Sequence, residues 1–160
     1  MQILYNSFFI SSGTGESDIS NINAFDEALN YAGISECNLV KVSSILPEKP
    51  KEIKYLPNFK IGEIVHCVLA RLDGNRGDCL SAGLGIAIGT RSDGKEYGFV
   101  MEAEGHCKAE DLESDLRRRL DDMAIRRNFN IKEKKVKVAN INNVNSEYGS
   151  AVVVLVYRNI

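Results

Sequence analysis

Two adjacent serines, Ser43 and Ser44, close a short apolar run, Asn38-Leu-Val-Lys-Val-Ser-Ser-Ile-Leu-Pro47. Leu39, Val40 and Val42 read as strand. Pro47 removes a backbone donor and ends any ladder. A strand that stops at Ser43-Ser44 leaves two hydroxyls and one peptide bond at a sharp exit, a place that can hold strain and present a nucleophile. Turn-forming serines at an ordinary strand end fit the same ten residues. Glu102 and Glu104 alternate on one face of another strand end. Buried together they would raise each other's pKa; left exposed they are two surface acids. His66 lies inside a strand pattern and reads as structural. His106 adjoins Cys107, but Cys–His nucleophile pairs are made in space rather than in sequence. No Gly-x-Ser-x-Gly elbow is present. Cys37, Cys67, Cys79 and Cys107 are far apart with no Cys-x-x-Cys pair, so they read as reduced thiols and no metal is expected. Arg117, Arg118 and Arg119 could grip a phosphate or carboxylate, yet they lie among acids that would pair with them. Gly83, Gly85 and Gly89 fall inside a strand pattern with the wrong spacing for a dinucleotide loop.

The elements that must position these groups follow from periodicity. Residues 2–10 read as a first strand and 11–18 as a polar, glycine-rich loop without the Gly-Lys-Ser/Thr of a phosphate-binding loop. Residues 22–33 read as a helix. Asn21 or Asn23 caps it, Asp26 and Glu27 lie in its first turn, Phe25, Ala28, Leu29 and Ala32 share one face, and Gly33 stops it. Residues 48–60, with two prolines and several lysines, read as a surface connection. Strands are expected at 61–72, 80–88, 96–104, 134–141 and 149–157, with turns at 73–78, 91–95 and 142–145. In 80–88 one face is almost bare, which lets a backbone, a helix or a neighbouring subunit approach closely. A helix is expected from about 109 to 128, with Leu112, Leu116, Leu120, Met123 and Ala124 on one face. Two helices and about seven strands with short links make an α+β chain whose sheets are mainly antiparallel or mixed.

The 160 residues suffice for one domain, with 44% hydrophobic and 26% charged residues in an ordinary globular balance. A net charge of −2 gives no basic field for nucleic acid or an anionic membrane surface. No apolar run is long enough to span a bilayer. The amino terminus lacks a basic stretch followed by a long apolar one, so the expectation is a cytoplasmic protein.

Three separated stretches then fall together: Asn23-Ala-Phe-Asp-Glu-Ala-Leu29 with Ala32-Gly-Ile34, Asn38 to Pro47, and Gly98-Phe-Val-Met-Glu-Ala-Glu-Gly105. In this order and at these intervals they closely resemble the pyruvoyl-dependent arginine decarboxylases. The resemblance implies a single domain over 1–160, folded as a four-layer αββα sandwich. The chain would be made as a proenzyme that cuts itself into 1–43 and 44–160 by serinolysis. Ser44 Oγ would attack the Ser43 carbonyl, with Asn38 polarising that carbonyl. Ser44 would become a covalent pyruvoyl group in place of pyridoxal phosphate. Glu102 is implied as the proton donor to the substrate Cα, its pKa raised by burial, with Glu104 as the nearby alternative. Asp26 is implied as the guanidinium contact. The implied reaction is decarboxylation of L-arginine to agmatine and CO₂ for polyamine synthesis. The implied assembly is a homotrimer or a dimer of trimers with active sites between subunits. Glu36, just before Asn38, could add a second carboxylate and change the preferred amino acid, so a pyruvoyl decarboxylase of another amino acid stands as the alternative. A non-catalytic assembly subunit of the same fold is the third reading.

Overall fold

A computed structural model describes residues 3–160. The last strand shows how the layers arise. Strand β9 (Tyr148–Arg158) carries the run Ala-Val-Val-Val-Leu-Val-Tyr from 151 to 157, apolar at every position. Successive side chains point to opposite faces, so such a run needs cover on both. Ala151, Val153, Leu155 and Tyr157 enter the core between two sheets. Val152, Val154 and Val156 pack with Ala28, Leu29 and Ala32 of a helix on the other side.

The remaining elements are β1 (Ser7–Ser17), α1 (Asn21–Ala32), β2 (Asn38–Lys41), β3 (Ile45–Leu46), β4 (Lys51–Ile53), β5 (Ile64–Asn75), β6 (Leu80–Arg91), β7 (Glu96–Gly105), α2 (Ala109–Arg126) and β8 (Phe129–Ile141). One sheet has the order β2-β5-β9-β1-β4, the other β3-β7-β6-β8. In the first sheet β2 runs parallel to β5 and β4 parallel to β1, while β9 is antiparallel to both its neighbours. The second is antiparallel throughout. The sheets pack face to face. Helix α1 covers the outer face of the first and α2 that of the second. This is the four-layer αββα sandwich of an α+β chain.

Several local expectations change. The stretch 11–18 is not a loop, because β1 continues to Ser17. Its glycines serve packing: a Cβ on Gly13 would stand 2.0 Å from the Ala28 carbonyl oxygen, and one on Gly15 2.3 Å from that of Ala24. Glycine in β1 and alanine in α1 together let the helix backbone lie against the sheet. The first strand begins at Ser7 rather than residue 2, and Met1 and Gln2 fall outside the described residues. Ser20, not an asparagine, caps α1, its hydroxyl accepting from the Asn23 N–H at 3.1 Å, so Asp26 lies beyond the first turn. Gly33 ends α1 in the left-handed region at φ 80°, as expected. The connection 48–60 contains β4, β5 runs on through Asn75, and β8 starts at Phe129 directly after α2.

The bare face of β6 receives α2. A Cβ on Gly83 would reach within 2.8 Å of Leu116, and one on Gly85 within 2.9 Å of Leu120. On the outer side of α2, Arg117 pairs with Glu113 at 3.1 Å, and Arg118 and Arg119 both pair with Asp115 at 2.8 Å. The three arginines are engaged by acids of their own helix.

Candidate active site

The Ser43–Ser44 peptide stands where the chain leaves one sheet for the other. Strand β2 is the outermost strand of the first sheet, and β3 opens the second. The Val42 N–H donates to the Cys67 carbonyl at 2.9 Å, the last main-chain bond to the first sheet. The Ser44 carbonyl accepts from the Val100 N–H at 2.8 Å, the first bond to the second. The serine pair therefore bridges two anchored points, with Ser43 exposed and Ser44 half-buried. The sequence reason is local. Val40 and Val42 favour strand, Ile45 and Leu46 favour it again, and the serines between them have no apolar surface to hold them against either sheet.

Beside Ser43 lies a hollow of 330 Å³ lined by Ile3, Tyr5, Val42, Ser43, Ile45, His66 and Tyr157. Its walls are largely apolar. The Tyr5 hydroxyl and His66 Nδ1 are 2.7 Å apart. The Tyr157 hydroxyl donates to the Ile45 carbonyl at 2.8 Å. Burial, and secondarily the nearby Cys67, push the Tyr157 phenol up to about 12, so it remains a donor at neutral pH. Burial likewise pushes the Cys67 thiol up to about 11, with Lys41 and Glu102 exerting smaller and opposing effects on it.

The structure brings some of the expected residues together. Val100 holds Ser44, and Glu102 lies two residues further along the same face of β7, roughly 7 Å away along the strand. Glu104 is a further two residues on, so Glu102 is the carboxylate nearer the crossing. The expected burial of Glu102 is not provided by this chain, since its side chain is exposed. β3 ends the sheet beside β7 after only two residues, leaving the edge of β7 open where Glu102 stands.

Asn38 and Asp26 are placed elsewhere. The Asn38 side-chain amide donates to the Gly62 carbonyl at 2.9 Å. Asn38 begins β2 and Ser43 follows its end, five extended residues apart, roughly 16 Å. Within one chain, the Asn38 amide does not reach the Ser43 carbonyl. Asp26 is exposed on α1, which covers the outer face of the first sheet, whereas the hollow opens at the edge of the inter-sheet core. Glu36 is exposed, its carboxylate accepting from the Ser35 hydroxyl at 3.3 Å, and it does not line the hollow.

Tyr5, His66 and Tyr157 are the wall residues that the order of the sequence conceals. His66 read as structural, and period-two alternation carries the missed signal. It places His66 on the inter-sheet face with Val68 and Ala70, and Tyr157 there with Val153 and Leu155.

Around the serine crossing is a patch of exposed apolar residues, Val40, Val42, Ile45, Ile61 and Ile64. Ile45 opens β3 of the second sheet, and the other four lie on or next to β2 and β5, at the open edge of the first. A free strand edge with apolar side chains is a surface that another chain can cover.

The sequence model of a family described as pyruvoyl-dependent arginine decarboxylase matches residues 7–160. The chain belongs to this family. Its relatives include the pyruvoyl-dependent arginine decarboxylase of Methanothermobacter thermautotrophicus, 39% identical over 150 residues that cover 92% of this chain and 93% of that protein. The Pyrococcus horikoshii protein of the same name is 37% identical over 124 residues, 76% of this chain and 77% of its own. That of Methanopyrus kandleri is 36% identical over 150 residues, 94% and 95%. A solved structure of a pyruvoyl-dependent histidine decarboxylase overlaps 91% of this chain and 67% of that one with a TM-score of 0.47 at 13% identity, too loose a likeness to bear on substrate.

Proposed function

We propose that this protein is a self-cleaving decarboxylase that converts L-arginine to agmatine and CO₂, with a pyruvoyl group made from its own Ser44. The observation that supports this most directly is the Ser43–Ser44 peptide suspended between two sheets, in a chain that matches the pyruvoyl-dependent arginine decarboxylase family from residue 7 to 160. The surroundings suit such a group. Ile45 and Leu46 stay paired with Phe99 and Gly98 whether or not the preceding peptide is intact, so the head of the longer fragment remains beside a hollow with apolar and hydroxyl-bearing walls.

Self-cleavage uses the chain's own atoms. The Ser44 hydroxyl adds to the Ser43 carbonyl carbon, the carbon–nitrogen bond breaks, and the proton passes from oxygen to nitrogen, leaving an ester. Loss of the Ser44 Cα proton then expels the Ser43 carboxylate, and water replaces the nitrogen, which leaves as ammonia. The resulting group supplies a ketone for the substrate amine and a sink for the electron pair left by CO₂. Glu102, beside the crossing, returns a proton to the substrate Cα. Asp26 offers paired oxygens to the planar guanidinium, and Asn38 donates to the Ser43 carbonyl oxygen.

The last two residues are remote from Ser43 within one chain, so their roles require a neighbouring copy. The apolar edge around β2 supplies the surface for it, in a homotrimer or a pair of trimers. Packing of that copy over the open edge of β7 would also bury Glu102. Polyamine synthesis and a cytoplasmic setting complete the reading.

Intact mass after expression tests it. Two fragments, 1–43 and a pyruvoyl-headed 44–160, are expected, together with CO₂ release from arginine exceeding that from other amino acids. A chain that stays whole rejects self-cleavage. Good release from a different amino acid, with none from arginine, rejects the substrate.

A further inference from the structure

We propose that Tyr157 is a positioning residue for self-cleavage, its hydroxyl holding the Ile45 carbonyl so that Ser44 Oγ meets the Ser43 carbonyl carbon. The proposal rests on the self-cleavage reading above. Three hydrogen bonds fix the main chain around the serine pair. Two are main-chain bonds, Val42 N–H to Cys67 and Val100 N–H to Ser44. The third is the Tyr157 hydroxyl to Ile45 at 2.8 Å. Among the described residues it is the only side-chain hydrogen bond to the main chain between 42 and 46.

The geometry gives this third bond a distinct task. Ile45 pairs with Phe99 in the second sheet, whereas Tyr157 belongs to β9 of the first. The bond therefore draws the start of β3 back toward the sheet that the chain has just left. Without it, the segment after Ser44 is fixed only to the second sheet, and the serine pair is free to swing across the gap. Tyr157 itself is held firmly. It is 7% exposed, packs in the inter-sheet core, and stands 5.8 Å, ring centre to ring centre, from Tyr5. A rigid donor on a central strand can fix a flexible turn in a way that a surface side chain cannot.

The step served is the first one, in which the Ser44 hydroxyl adds to the Ser43 carbonyl, the amide bond breaks and the proton moves to nitrogen. Tyr157 makes its hydrogen bond one residue beyond the reacting atoms, so it acts by placement and not by proton transfer.

Tyr157→Phe keeps the ring and removes only the hydroxyl. Full-length precursor made by cell-free translation and sampled over time by intact mass gives the cleavage rate. Loss of one ordering hydrogen bond is expected to slow cleavage about tenfold. Hydroxylamine cuts the ester intermediate to a Ser43 hydroxamate and a fragment beginning with unaltered Ser44, so it reports the first step separately. Less ester is expected in Tyr157→Phe than in the wild type. Ser150→Ala is the control: it removes another buried hydroxyl from the same strand, one that bonds Asp73 at 2.8 Å, and should cleave at the wild-type rate. Thermal unfolding of both variants in a Ser44→Ala background, where no chain is cut, puts the rates on an equal folded fraction. An unchanged rate in Tyr157→Phe, normal ester with slow release, or equal slowing in Ser150→Ala would each overturn the role of Tyr157 alone. A wild-type chain that never cleaves overturns the self-cleavage reading and this one with it.

Discussion

The chain passes from the five-stranded to the four-stranded sheet twice, and the two crossings are built differently. The second, between β5 and β6, is a closed turn. The Asp78 carboxylate accepts from the Asn75 N–H at 2.8 Å, and the Asp78 N–H returns to the Asn75 carbonyl at 3.0 Å. Gly77, at φ 87°, donates to Val144 at 2.8 Å, and Val144 donates back to Asp78 at 3.0 Å. Leu80 then enters the core fully buried. The first crossing, at Ser43–Ser44, has anchors on either side and none on the pair's own hydroxyls among the described residues. One crossing satisfies its polar groups internally and is suited to persist. The other leaves a peptide and two hydroxyls uncommitted, which is what the proposed self-cleavage requires.

The most severe way to break the contrast is Ser44→Ala. It removes the attacking oxygen, so the chain is expected to remain whole by intact mass with an unchanged circular dichroism spectrum; fragments from this variant would defeat the assignment. Leu80→Ala probes the other crossing. It should lower stability by about 2–5 kcal/mol in urea unfolding while the precursor still cleaves. Asp78→Ala removes the carboxylate cap on the Asn75 N–H and should cost about 1–2 kcal/mol, again with cleavage retained. A smaller effect sharpens the first crossing by pH. The folded-state pKa of Tyr157 lies near 12, above the ordinary tyrosine value of 10. Below pH 10 both folded and unfolded chains hold the phenolic proton. Between 10 and 12 the unfolded chain loses it first, so stability falls as pH rises. The loss should be about 1–2 kcal/mol over that window and absent in Tyr157→Phe, measured by urea melts of uncut Ser44→Ala chains.

The two crossings also show what a sequence can disclose. The turn at 73–78 was legible because aspartate, glycine and asparagine act on their nearest neighbours, although β5 intrudes to Asn75. The serine pair was legible by residue type and by its spacing from Asn38 and Pro47. The two helices and the strands at 96–104 and 149–157 followed from periodicities complete within each segment. Gly13 and Gly15 misled because their meaning lies in α1, whose backbone they admit, and not in their neighbours. The short β3 and β4 exist only through pairing with β7 and β1. Tyr5, His66 and Tyr157 converge because sheet order gathers positions 5, 66 and 157, a relation that no local pattern encodes.

Strand order has a last consequence for the cut molecule. The shorter piece contributes β1, which is inserted between β9 and β4, both from the longer piece, and all eleven residues of β1 are registered against β9. The proposed scission would therefore yield an interwoven heterodimer that cannot dissociate without unzipping an interior strand. Once denaturant has separated the pieces, reassembly is a second-order process that slows with dilution, whereas the uncut chain refolds at a rate independent of concentration. Maturation by the proposed cut would thus exchange a single-chain fold for one whose recovery depends on its own fragments meeting again.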